Sequence, residues 1–297
     1  MRARPPSISG KKNRMDMKTT ARAASTVSIG GDLTVNRLGF GGMRLCGDGV
    51  WGIPADPENA LAVLRRAVEL GVNFIDTAEA YGPKINEDQI AAALYPYPDG
   101  LVIATKGGTT RSGPGEWGRD CRPERLRQLC DESLARLRVE RIDLYQLHAI
   151  DDNVPLEDQI GALSEMQTAG KIRHAGVSNV DLAQLKRAQA VMPIASVQNR
   201  YNLGHRDSED VLDYCETQGI VFIPWFPLEA GDVSGMKAVE SVASAYDATP
   251  HQIALAWLLK RSPVMLPIPG TKSLEHLKEN VAAGAIRLSD ADFSRLG

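Results

Sequence analysis

Cysteine is scarce in this chain, occurring at positions 46, 121, 130 and 215 of 297 residues with no CxxC pair. A disulfide-stapled scaffold or a structural zinc site needs thiols at closer, repeated spacing. A reduced cytoplasmic protein without a metal is the better expectation. Charge of one sign is also lacking: 34 Lys and Arg against 37 Asp and Glu leave a net charge of −3. That balance supplies no field for nucleic acid or an anionic membrane surface. No GxGxxG follows an early apolar run, which removes the usual mark of a Rossmann dinucleotide domain. What is present is an ordinary globular composition, long enough for one large domain or two modest ones.

The first two dozen residues differ from the rest. "MRARPPSISGKKNRMDMKTTARAA" carries seven Lys or Arg against one Asp and no continuous apolar segment. It has the make-up of neither a secretory signal nor a membrane anchor. Residues 1–25 are read as a disordered basic tail, or as the product of an upstream start with Met15 or Met17 as the natural one. A targeting role is the alternative. Removing residues 1–24 is expected to leave activity and melting temperature unchanged, because so little apolar surface is there to bury.

From residue 26 the pattern becomes regular. "TVSIGGDLTVN" reads as two short strands around a Gly-Gly-Asp turn. Apolar runs follow at 39–43, 72–75, 101–105, 142–147, 172–178, 195–199, 220–225 and 264–269, separated by amphipathic segments. Asp56 followed by Pro57 is a helix start, and Gly71 a helix stop. Eight strand–helix units in this length predict a single (β/α)8 TIM barrel over residues 26–297, its bottom capped by the N-terminal hairpin. A doubly wound parallel sheet is the runner-up.

In such a barrel, chemistry sits at the C-terminal ends of the strands. Asp76 follows one apolar run, Lys106 the next and His148 the one after, with Tyr81 five residues beyond Asp76. Taken singly they say little, since an Asp at a strand end usually caps a loop and a lone His usually packs. Together on successive strand ends they make a site. A phenol has an ordinary pKa of about 10. Lys106 is expected to lower that value and Asp76 to hold the ammonium charged, so that Tyr81 acts as general acid toward a carbonyl oxygen positioned by His148. No side chain supplies hydride, so a reduction needs a nicotinamide cofactor.

These motifs resemble the aldo-keto reductase superfamily, from about residue 26 to the end. "DTAEAYG", "TKGG", "LHAID", "GVSN", "VQNRYN" and "IPGTKSLEHLKEN" occur in the family's order, and "PWFPLEAG" is closest to the bacterial branch that includes pyridoxal reductase. The resemblance implies Asp76, Tyr81, Lys106 and His148 as a catalytic tetrad, and NADPH (NADP+) bound without a Rossmann domain. It implies Ser178, Asn179 and Gln198 on the nicotinamide carboxamide, and Trp225, where many members carry tyrosine, stacked on the ring. Phe226 stands where serine is common, so the pyrophosphate contact passes to backbone groups from Leu228 onward.

The adenosine half falls to residues 270–280, through Gly270, Thr271, Lys272, His276, Glu279 and Asn280. His276 replaces an arginine of some branches, which makes Lys272 the cation for the 2′-phosphate. The chain stops soon after "LSDADFSRLG", without a long C-terminal loop. Trp51, Trp117 and Phe226 are therefore expected to line the substrate mouth. The implied activity is NADPH-dependent reduction of a small-molecule aldehyde or ketone, possible substrates being pyridoxal or a bulky ketone from a secondary metabolite or xenobiotic. The partners are small molecules, with no nucleic acid and no membrane, and the protein is a monomer or weak oligomer. Two other classes compete: a regulatory module that binds NADPH without turnover, and a Schiff-base aldolase using Lys106.

Overall fold

Thr26–Ile29 (β1) and Leu33–Asn36 (β2) pair antiparallel. Their turn uses Gly30 and Gly31 at φ of 62° and 85°, left-handed values that glycine adopts without strain. The computed structural model describes residues 20–228 and 237–297. After the hairpin, strand and helix alternate. Phe40–Gly41 (β3) precedes Pro57–Glu69 (α1), and Phe74–Asp76 (β4) precedes Ile85–Leu94 (α2). Val102–Gly107 (β5) leads into a second hairpin, Thr109–Gly113 (β6) with Glu116–Arg119 (β7), and then Pro123–Leu137 (α3). Ile142–Leu147 (β8), Leu156–Thr168 (α4), Ile172–Ser178 (β9), Leu182–Val191 (α5), Ser196–Gln198 (β10), Glu209–Gln218 (α6) and Val221–Phe222 (β11) continue the pattern. Lys237–Ala245 (α7), Pro250–Arg261 (α8), Leu274–Ala282 (α9) and Asp290–Leu296 (α10) complete it.

Seven strands form one parallel sheet in the order β11-β10-β9-β8-β5-β4-β3. The eighth position belongs to residues 264–267. Phe222 N–H donates to the Val264 carbonyl and Leu266 N–H to that of Phe222, while Gly39 N–H donates to the Pro267 carbonyl at 2.9 Å. The ring of a (β/α)8 barrel is thereby closed. This last run does not form a full ladder because Pro263, Pro267 and Pro269 have no N–H to give.

Inside the ring, Phe74, Val102, Leu144, Val221, Ile223, Leu266 and Ile268 pack on Ile29, Leu33 and Val35 of the hairpin. The hairpin thus plugs the N-terminal end. Its turn is pinned by Asp32, which accepts from Arg173 at 2.8 Å and lies 2.6 Å from His174 Nε2. The helices bury their apolar stripes against the outside of the sheet in a second, larger cluster. Local signals start them: Asp56 accepts from Asn59 N–H, with Pro57 at the first position of α1, and Thr249 and Gln252 form a capping box on α8.

The boundary expected at residue 25 lies inside folded structure. Ala21–Ala24 form a short 3-10 helix with Ala21 and Ala24 buried. Ala21 N–H and the Thr20 hydroxyl both donate to the Leu70 carbonyl, and Arg287 donates to that of Ala23. Residues 1–19 lie outside the described residues. Small alanines are a weak apolar signal, so composition alone placed the boundary too late. A chain beginning at residue 25 is expected to lose about 1–2 kcal/mol of stability, from two buried methyl groups at about 0.8 kcal/mol each. Urea unfolding of that truncation beside the full chain measures it, and an unchanged midpoint would mean the segment packs without stabilising.

Candidate active site

Parallel strands deliver all their C-terminal ends to one rim. Asp76 is the last ladder residue of β4, and Lys106 lies beside it on β5. Lys106 Nζ donates to Asp76 Oδ1 at 2.6 Å, to the Thr77 carbonyl at 2.8 Å and to the Tyr81 hydroxyl at 3.3 Å. Both members of the ion pair are removed from solvent, Lys106 at 0% and Asp76 at 2% exposure. The other carboxylate oxygen of Asp76 accepts from Gln198 Nε2 at 2.8 Å and Gln146 Nε2 at 3.3 Å. The ring of Tyr81 meets that of His148 edge to face, with centroids 5.7 Å apart.

Tyr81 arrives here through its own loop. Asn86 N–H, at the start of α2, donates to the Tyr81 carbonyl, and Cys46 and Ala78 pack against the side chain. Burial raises the phenol above its ordinary value, and the Lys106 ammonium only partly offsets that. The expected lowering is therefore corrected: desolvation of the phenolate outweighs the neighbouring cation. Burial would by itself pull Lys106 down, but the Asp76 carboxylate and Tyr81 outweigh it and the ammonium is held above its usual value. His148 is pushed well below the usual imidazole value, first by burial and then by Lys106 and Arg111. Its Nδ1 is buried with no hydrogen-bond partner. The site thus presents a protonated phenol, a fixed ammonium and a neutral imidazole.

On the next strand ends, the Ser178 hydroxyl donates to the Gln198 carbonyl at 2.7 Å. Asn179 takes a left-handed φ of 58°, which asparagine tolerates. Its amide donates to the Ser178 hydroxyl and the His148 carbonyl, and its oxygen accepts from Trp225 Nε1, each at 3.0 Å. The indole of Trp225 is thereby held in a fixed plane. Phe226 stacks edge to face on it at 5.0 Å, with a φ of 50° that a bulky residue adopts only under strain. Leu228 packs on the outer core, and residues 229–236, expected near the pyrophosphate, lie outside the described residues.

Ser273 caps α9, accepting from Glu275 and His276 N–H, while Thr271 Oγ1 accepts from Ser273 N–H. Lys272 and His276 are exposed, with Lys272 Nζ 4.0 Å from Asp48. Asn280 is buried, and the Glu279 carbonyl accepts from Gln252. Gly270 passes so close to Gly41 that a Cβ would lie 2.3 Å from the Gly41 carbonyl oxygen.

The three aromatics expected at the mouth do not form one wall. Trp117, 46% exposed on β7, stands edge-on to Tyr81 and His148 at 6.5 and 6.4 Å. Trp51 joins it through Arg111, while Phe226 keeps company with Trp225. Gln146 and Arg111 were not anticipated. A fully buried glutamine inside "IDLYQL" is a polar break in an apolar run, and that signal was available. The residues fit a nicotinamide dinucleotide by their chemistry: an oriented indole, amide and hydroxyl groups, and a helix start with a lysine beside it.

The sequence model of the aldo/keto reductase family matches residues 37–297. An uncharacterized oxidoreductase of Schizosaccharomyces pombe is 50% identical over 277 residues, 93% of this chain and 90% of that one. Pyridoxine 4-dehydrogenase of Escherichia coli is 42% identical over 272 residues, 90% of this chain and 95% of its own. A crystal structure of an aldo/keto reductase from Klebsiella pneumoniae, in complex with NADP and acetate, superposes with a TM-score of 0.77 at 29% identity, covering 91% of this chain and 93% of that one. The chain belongs to the aldo/keto reductase family. It is an NAD(P)H-dependent oxidoreductase.

Proposed function

We propose that this enzyme uses NADPH to reduce a small aldehyde or ketone to the alcohol, with pyridoxal as the foremost substrate. The observation that carries the reading is the buried Asp76–Lys106–Tyr81 chain, with the Tyr81 ring edge to face against that of His148. The name of the 42% identical relative, a pyridoxine dehydrogenase, supports the choice of substrate, since pyridoxal is the aldehyde partner of that alcohol.

The bound nicotinamide would supply hydride to the carbonyl carbon. Tyr81 gives its proton to the carbonyl oxygen as negative charge develops there, and Lys106 stabilises the phenolate left behind. Asp76, held by two glutamine amides, keeps the ammonium charged and aimed. His148 orients the oxygen. Ser178, Asn179 and Gln198 would hold the carboxamide of that nicotinamide, Trp225 its ring and Lys272 the 2′-phosphate. A cytoplasmic location accords with four free, buried cysteines and with the lack, among the described residues, of a helix able to cross a membrane.

A panel of aldehydes and ketones with NADPH, followed by loss of its absorbance, tests the reading. Turnover of pyridoxal is expected. Turnover of other carbonyls alone would remove pyridoxal, and no turnover of any would remove the reading. Cofactor choice has its own test. Lys272→Ala is expected to weaken NADPH binding by about tenfold to a hundredfold, the loss of one charge-assisted hydrogen bond. NADH, which lacks the 2′-phosphate, is expected to bind as before. Equal weakening of both dissociation constants, or of neither, would take Lys272 out of the site.

A further inference from the structure

Arg111, on β6, ties together the loops that follow the first three barrel strands. Its Nε donates to the Glu116 carbonyl at 2.9 Å. Nη1 donates to Val50 at 2.9 Å and Ala80 at 3.1 Å, and Nη2 to Gly49 at 2.7 Å and Gly113 at 3.2 Å. A guanidinium has five N–H donors, so these bonds leave none for an anionic group of a substrate. An arginine serving only its own hairpin would bond Gly113 and Glu116. Three of the five bonds instead reach other loops, and Ala80 immediately precedes Tyr81.

The same guanidinium lies 3.7 Å from the ring centre of Trp117 and 5.7 Å from that of Trp51. An exposed tryptophan on an isolated two-stranded hairpin would have little to hold it, because such hairpins are marginal by themselves. Here the backbone is laced as well: Gly115 N–H donates to Gly49, and Gly82 N–H to Val50. The indole is fixed before a ligand arrives, which lowers the ordering cost of binding.

We propose that Arg111 is a positioning residue that sets substrate specificity, holding the Trp117 indole as a rigid wall beside Tyr81 and His148 that favours carbonyls carried on a flat aromatic ring. This rests on the reductase reading with Tyr81 as the acid. Lysine cannot replace it, since a point charge with three donors neither spans the loops nor lies flat on an indole.

The test is a double-mutant cycle of Arg111→Lys and Trp117→Ala, with 4-nitrobenzaldehyde and butanal as aromatic and aliphatic probes. Each single variant is expected to lose about tenfold in kcat/KM for 4-nitrobenzaldehyde, mainly through KM, the scale of one aromatic contact. The loss with butanal should be several-fold smaller, and the NADPH dissociation constant should stay within about twofold. The double variant should be little worse than Trp117→Ala alone, because the clamp acts through the wall. Equal losses on both aldehydes, additive effects, or a parallel loss of NADPH affinity would overturn the proposal. Trp117→Ala, which leaves the clamp in place, keeps the wall testable should Arg111→Lys fold poorly. A wild-type chain that reduces no carbonyl would instead overturn the reductase reading on which the proposal stands.

Discussion

Tyr81→Phe is expected to lower kcat for carbonyl reduction by about a hundredfold to ten-thousandfold, the range for a lost general acid. The substitution deletes one hydroxyl from a site that otherwise stays packed, with Cys46 and Ala78 still against the ring. NADPH affinity should not change, because among the described residues the hydroxyl bonds Lys106 alone. The pH profile supplies a second readout. Burial holds the phenol above its ordinary value of 10, so the native chain keeps its acid through the neutral range. His148 is held well below 6.5, so it is uncharged there too. Reduction should accordingly be flat between about pH 6 and about pH 9, with no limb at the usual imidazole value. Rapid reduction by Tyr81→Phe would dismiss the phenol as the acid, and an acid limb near 6.5 would dismiss the neutral imidazole.

Asp76→Asn is expected to destabilise the fold by about 3–5 kcal/mol near neutral pH, the cost of leaving a buried charge without its partner. Asp76 accepts on both oxygens, from Lys106 on one and from Gln198 and Gln146 on the other. An asparagine accepts on one only, so its N–H group faces either an ammonium or a glutamine donor. Burial is the largest influence on Lys106, and without the carboxylate it would depress the ammonium's pKa. The folded variant then binds fewer protons than its unfolded chain at intermediate pH, and its stability rises with pH. The deficit should therefore shrink as pH approaches 10.5, the ordinary lysine value. Urea unfolding of both proteins across that range measures it. A deficit under about 1 kcal/mol that ignores pH would show that the pair contributes little.

Reading the chain alone was sufficient wherever the physics is local. Strand runs alternating with helical stripes reveal a barrel because each period reports which face of an element is buried. Asp56 with Pro57, Ser273 before α9, and the Gly30-Gly31 turn act on backbone groups two or three residues away, so their effect is visible in the text. Strand ends carry Asp76, Lys106 and His148 to one rim for the same topological reason.

What the sequence could not decide depends on contacts between distant segments. Gln198 reaches Asp76 across 122 positions, and Arg111 reaches Gly49 across 62. The eighth strand closes the barrel through isolated bonds that prolines make irregular, and residues 20–24 are held by distant groups such as the Leu70 carbonyl and Arg287. The proton on Tyr81 is the sharpest case. A lysine nearby in the sequence pattern argues for a lowered pKa, yet desolvation wins, and desolvation is a property of everything packed around the ring. Periodicity and capping belong to neighbours along the chain, whereas burial, and the charge states it sets, exist only once the tertiary structure has formed.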